Sequence, residues 1–187
     1  MIKVETPSET CYYPRGAKYW FCESKKNNVK IFLAGTIDNG NSGNWQEKVI
    51  SDLCLCNLKP DDDSDLGEDF SFGDIIIFNP RRDDWNSDFG TEEVEKQIRW
   101  EQNKLDEADI IVMYFDDNSK SPISLLELGL YGPHGKMIVF CTDKFYRFSN
   151  IKLTCEKFLI PLIQTTDISE VSKEIEKIYK ELSEYNS

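Results

Sequence analysis

Four short apolar runs, separated by stretches with helical patterning, restrict this chain to an alternating α/β architecture. They are residues 29–34 (VKIFLA), 75–78 (IIIF), 109–115 (DIIVMYF) and 136–141 (KMIVFC). Runs this continuous belong to strands covered on both faces, because a strand with one face in water alternates apolar with polar residues. Between them, residues 45–56 and 91–106 read as helices, with Thr91 as the expected N-cap of the second and acids in its first turn. Residues 121–132 read as a short helix with Ser121 at its cap and Pro122 in its first turn, and residues 168–182 as an amphipathic closing helix. A short fifth strand is expected over 158–163. Residues 1–28 read as an irregular N-terminal arm, broken at Tyr12-Tyr13-Pro14-Arg15-Gly16, and the acidic stretch 59–73 as a solvated loop. Strands alternating with helices imply a parallel sheet with right-handed crossovers and helices on both faces. The expected organisation is therefore an arm over 1–28 and a single domain over 29–187.

Composition narrows the partners. The chain has 187 residues, 40% of them hydrophobic, and its 22 basic against 34 acidic side chains leave a net charge of −12. That balance argues against a nucleic-acid polymer, whose backbone needs clustered cations, and against an anionic membrane surface. No stretch reaches the ~20 apolar residues of a membrane span, and the first residues lack the apolar region of a signal peptide. A cytoplasmic, reducing location is expected, with the six cysteines as free thiols. His134 is the only histidine, and Cys54-x-Cys56 lacks the second pair of a zinc site, so no metal is expected. Gly129, Gly132 and Gly135 lack the spacing of a phosphate-binding loop. Small molecules and other subunits remain as partners. The aromatic residues Tyr12, Tyr13, Tyr19 and Trp20 suit an arm that docks on the domain or on a second subunit.

Parallel sheets bind ligands beyond the carboxyl ends of their strands, which here hold residues 35–43, 79–85, 115–121 and 142–150. Two carboxylates stand out nearby. Glu101 falls on the same expected helix face as Val94, Ile98, Leu105 and Ala108, and Glu127 is set in Leu125-Leu126-Glu127-Leu128-Gly129-Leu130. A desolvated carboxylate needs a compensating group or a function. Either acid alone reads as an ion-pair or rim position; two on helices converging at one sheet end suit a nucleophile and an acid/base. Arg81 and Arg82 are open to two readings, a phosphate contact or ion pairs with Asp83 and Asp84.

Four motifs occur in order: Ile31-Phe32-Leu33-Ala34-Gly35-Thr36-Ile37, then Asn79-Pro80-Arg81-Arg82-Asp83-Asp84-Trp85, then Trp100-Glu101 with Leu105 and Ala108-Asp109, then Ser121-Pro122-Ile123-Ser124-Leu125-Leu126-Glu127-Leu128-Gly129. Together they resemble the nucleoside 2-deoxyribosyltransferase-like family. The resemblance implies a flavodoxin-like (Rossmann-like) three-layer fold with a five-stranded parallel sheet. It also implies cleavage of the N-glycosidic bond of a small (deoxy)nucleoside or its 5′-monophosphate without a cofactor. Glu127 would be the nucleophile attacking the sugar C1′, and Glu101 stands where the family usually has an assisting aspartate. Gly35, Thr36 and Ile37 would line the base and sugar pocket, with Asn79, Arg81, Ser121 and Ser124 as further substrate contacts. The transferases proper have an aspartate six residues before the nucleophile; here that place is Ser121, which resembles the related deoxynucleoside-monophosphate glycosidases. Ser121 reads either as a simple helix cap or as a donor to the 5′-phosphate. A homodimer or larger homo-oligomer is implied, because the family's transferases borrow a neighbour's asparagine. The alternative to an enzyme is a non-catalytic nucleotide-binding or sensing module with the same pocket.

Overall fold

Side chains along each central strand alternate between two hydrophobic cores, and the layered architecture follows from that alternation. The computed structural model describes residues 2–7, 10–13, 29–37, 43–56, 75–82 and 90–185. Its central strands are β3 (Val29–Gly35), β5 (Ile110–Tyr114) and β6 (Met137–Phe140). Ile31, Leu33, Val112, Tyr114 and Ile138 face one core, with α1 (Trp45–Cys56) and α5 (Ile168–Tyr185). Phe32, Ala34, Ile111, Met113 and Val139 face the other, with α2 (Thr91–Glu107), α3 (Pro122–Tyr131) and α4 (Phe148–Phe158). Helices on both sides explain why the strands are apolar along nearly their whole length, Lys30 near the start of β3 being the exception.

The remaining strands are β1 (Ile2–Glu5), β2 (Thr10–Tyr13), β4 (Ile75–Phe78) and β7 (Leu162–Ile163). The sheet runs β2-β1-β4-β3-β5-β6-β7, parallel throughout except for the β1–β2 pair. Without β1 and β2, the order is that of a flavodoxin-like sheet, whose switch point lies between β3 and β5.

Several expectations need correction. The sheet has six parallel strands rather than five, because Ile2–Glu5 pairs in register with Ile75–Phe78. The N-terminal segment is therefore not irregular at 2–5 or 10–13. Ile2 and Val4 are buried, but two apolar residues in four give too weak a signal to read as a strand. The fifth expected strand is real only at Leu162–Ile163; residues 148–158 before it form α4, anchored by Ile151 and Cys155. Gly90, not Thr91, is the N-cap of α2. Residues 59–73, Asp83, Asp84, Trp85, Tyr19 and Trp20 lie outside the described residues.

Two features hold the elements that carry the site. At the carboxyl end of α2, Lys136 Nζ donates to the carbonyls of Leu105, Asp106 and Ala108 at 2.8–2.9 Å, satisfying groups a helix end leaves unpaired. At the end of β3, Gly35 has φ +131°, and a Cβ there would lie 2.0 Å from the Tyr114 carbonyl oxygen. Only glycine lets β3 and β5 close at the switch point. Gly35→Ala is expected to lower stability by about 2–3 kcal/mol or more, a fall in Tm of roughly 5–10 °C. A thermal melt displaced by less than about 2 °C would contradict this reading of the β3–β5 contact.

Candidate active site

The β3–β5 junction is sealed by three hydroxyls. Thr36 Oγ1 lies 2.9 Å from Ser119 Oγ and 2.7 Å from Ser121 Oγ, and the two serines are 2.6 Å apart. All three side chains are buried, and Thr36 Oγ1 also accepts the backbone N–H of Asp116 at 3.0 Å. A ring of this kind is self-satisfied if each hydroxyl donates to the next. Ser121 adopts a left-handed backbone (φ 41°, ψ 52°) and its side chain makes no cap to α3; its carbonyl accepts the first helical bond, from Leu125 N–H. Ser121 thus holds the expected N-cap position, but its hydroxyl serves the ring rather than the helix. Trp45 Nε1 donates to the Thr36 carbonyl at 2.9 Å, tying the start of α1 to the same junction.

The two acids lie on the helices of the second core. Glu127 projects from α3, where the neighbouring Leu128 is buried. Burial pushes its carboxyl up from the usual carboxylate range to about 8, and the nearby Glu101 charge adds to the shift. Glu101, on α2, is also raised by burial, against a hydrogen bond from Gln97 that lowers it. The two acids therefore lie close enough for the charge of Glu101 to raise Glu127. Neither acid forms an ion pair with a described residue. The expected apolar face of α2 is only half buried: Leu105 is 1% and Ala108 3% exposed, whereas Val94 and Ile98 are 36% and 45% exposed.

The other expected contacts are scattered around the carboxyl end of the sheet. Asn79 is buried after β4; its N–H donates to the Glu5 carbonyl, and its Oδ1 accepts the Arg81 N–H at 3.0 Å. Arg81 Nη1 reaches the Gly43 carbonyl at 3.5 Å, so the arginine spans the mouth between β4 and the entry to α1. Ile37 is half-buried beyond Thr36, and Ser124 is buried in the first turn of α3. A separate cavity of about 310 Å³ lies between α3 and α4, lined by Leu125, Leu128, Arg147 and Asn150 among others; neither acid lines it.

Two polar side chains escaped the sequence reading. Gln46, in the first turn of α1, is fully buried with neither amide atom hydrogen-bonded, and Gln97 has a buried Oε1 without a partner. Buried orphans of this kind call for an explanation. The only prior signal was position: Gln97 precedes Glu101 by one helical turn.

A permanently neutral side chain at position 127 should stabilise the fold most above pH 8, where the buried carboxyl has become charged. The folded pair keeps a proton that the unfolded chain releases near 4.5, so stability falls as pH rises through that window. Glu127→Gln is expected to raise Tm by roughly 3 °C or more at pH 8.5 and by much less at pH 5. Equal changes at both pH values would contradict the raised carboxyl.

The family model described as nucleoside 2-deoxyribosyltransferase like matches residues 28–145, which contain both acids, the hydroxyl ring and the β3–β5 junction. Among solved structures, a conserved protein from Enterococcus faecalis V583 is similar in fold at 11% identity, with a TM-score of 0.50. The match covers 81% of this chain and 99% of that one. No curated protein matches the chain. Among the described residues, no helix is long and apolar enough to cross a membrane.

Proposed function

This chain belongs to the nucleoside 2-deoxyribosyltransferase-like family, and we propose on that footing that it cleaves the N-glycosidic bond of a small (deoxy)nucleoside or nucleoside 5′-monophosphate. The observation that carries the proposal is the pair of raised carboxyls, Glu127 and Glu101, on adjacent helices of the sheet. The pair holding one proton is the reacting state: the proton rests on Glu127 and passes to Glu101 when substrate binds. Glu127 then attacks C1′ as carboxylate, the C1′–N bond breaks through an oxocarbenium-like state, and Glu101 gives that proton to the departing base. The product is a neutral base and a glycosyl ester on Glu127. Water, or a second base, then attacks C1′ and returns a proton to Glu101 as Glu127 leaves.

The surrounding residues support this division of labour. Gly35, Thr36 and Ile37 form the floor under the sugar, and Asn79 shapes the neighbouring strand end. Gln46 offers a buried donor and acceptor to a polar ligand group. Ser121 and Ser124 lie at the amino end of α3, where unpaired N–H groups and the helix dipole favour an anion, and Arg81 adds a cation. That arrangement suits a 5′-phosphate. The exposed apolar residues Ile123 (60%), Leu126 (58%) and Leu130 (54%) of α3, with Ile98 of α2, suit a face shared with a second copy of this chain.

Glu127→Ala is expected to reduce base release by ~10³-fold or more, because the bond-forming group is gone. Near-normal turnover in that variant would sink the assignment. In the unmodified protein kcat/KM should fall above pH about 8, where the pair loses its last proton. Glu101→Gln should lower the optimum rate by about 10²–10⁴-fold and abolish that alkaline limb. A limb that persists would demote Glu101 to a structural role.

The phosphate reading is tested separately. Aspartate tolerates the left-handed backbone of position 121, and its charge would repel a neighbouring phosphate. Ser121→Asp is expected to shift preference from the monophosphate to the nucleoside by at least about tenfold, on the order of one like-charge contact. Competition assays that show an unchanged preference would place the phosphate elsewhere.

A further inference from the structure

Gln97 makes two hydrogen bonds through one atom and none through the other. Its Nε2 donates to Glu101 Oε1 at 2.9 Å and to the Pro80 carbonyl at 3.4 Å, while its Oε1 is buried without a partner. The orientation is forced by chemistry. The Pro80 carbonyl can only accept, so the amide nitrogen must face it, and both N–H groups are then used. Gln97 links three elements of the site: its own helix α2, the loop after β4, and the carboxyl one turn further along α2.

An unpartnered buried carbonyl oxygen carries a desolvation cost that an apolar side chain at position 97 would not incur. The geometry gained at that cost lies on Glu101. With Oε1 held as an acceptor and the carboxyl plane pinned to the end of β4, the two oxygens of Glu101 are no longer equivalent.

We infer that Gln97 is a positioning residue that engages Oε1 of Glu101 and so reserves Oε2 as the oxygen that carries the proton of the reaction. This rests on the glycosidic-bond reading above. In the first half-reaction the Oε2 proton moves to the base nitrogen as the C1′–N electron pair departs with the base. In the second, Oε2 takes a proton from the water whose oxygen bonds to C1′. Oε1 keeps its bond from Gln97 throughout, so the carboxyl does not rotate between steps. Among the described residues, the ionisable group of another element that interacts with Glu101 is Glu127 on α3; of the cations flanking Glu101 on α2, Arg99 lies 4.0 Å from Glu95, and Lys104 is occupied by Glu5 and Glu107 at 2.8 and 3.0 Å.

The test uses Gln97→Leu and Gln97→Met, which remove the amide along with its orphaned oxygen and keep the bulk. The first readout needs no activity: with 13C-labelled glutamate, assigned by Glu101→Gln, the Glu101 carboxyl should titrate at least about half a pH unit higher in both variants. The second is a pair of substrates. Release of a natural base should fall at least ~10-fold, whereas release of 4-nitrophenolate from its 2-deoxyriboside, which leaves without a proton, should stay within about 2-fold. An unmoved Glu101 titration overturns the inference, as does an equal loss on both substrates, the signature of a merely structural side chain. If the unmodified protein releases no base at all, the glycosidic-bond reading fails, and the titration alone then decides whether Gln97 governs Glu101.

Discussion

Two partly buried carboxyl groups, the charge of one raising the pKa of the other, are an electrostatic conflict on one side of the sheet. Glu127 titrates near 8 because burial and Glu101 both disfavour its charge. Nothing in the described structure relieves this with a cation, although Lys104 lies on the same helix as Glu101. The fold instead directs its cations to the rim. Lys104 pairs with Glu5 and Glu107, Lys30 with Glu107, and Lys136 closes the end of α2. These contacts fix the position of α2 without neutralising the acids. An unrelieved pair that shares a proton near neutral pH is what proton transfer to a leaving base requires.

The junction between β3 and β5 supplies the other half of the arrangement. Gly35 permits the close approach, Thr36 carries the hydroxyl ring, and Ser121 turns the chain into α3 with a left-handed backbone. The side chain of Ser121 is spent on that ring rather than on capping its helix. The first turn of α3 therefore remains unsatisfied by its own cap residue, at the topological switch point where a parallel sheet receives its ligand. Among the described non-glycine residues, Ser121 is one of two with a positive φ; the other, Leu159, ends α4.

The central strands were legible because their runs are long enough to be unambiguous, and the two acids because they interrupt apolar patterns. The strand at Ile2–Glu5 was not, since four residues with two acids or bases among them carry almost no periodic signal; its place comes from pairing with Ile75–Phe78, a contact 70 or more residues away in sequence. Helix α4 was hidden because its buried anchors, Ile151 and Cys155, are set among polar residues. Val94 and Ile98 fitted a helical stripe, yet the stripe outruns the domain and leaves them exposed. Gln46 and Gln97 could not be singled out from sequence at all. An amide becomes informative only when packing shows which of its atoms lacks a partner.

The central claim is that Glu127 forms a covalent bond to the sugar. The most direct test is to mix the protein with a panel of nucleosides and 5′-monophosphates, quench rapidly, and map adducts by peptide mass spectrometry while chromatography follows the base. The account predicts free base together with a glycosyl ester confined to the peptide containing Glu127. Nucleotides that raise the melting temperature without any released base or adduct would contradict it, and would leave a binding module in its place.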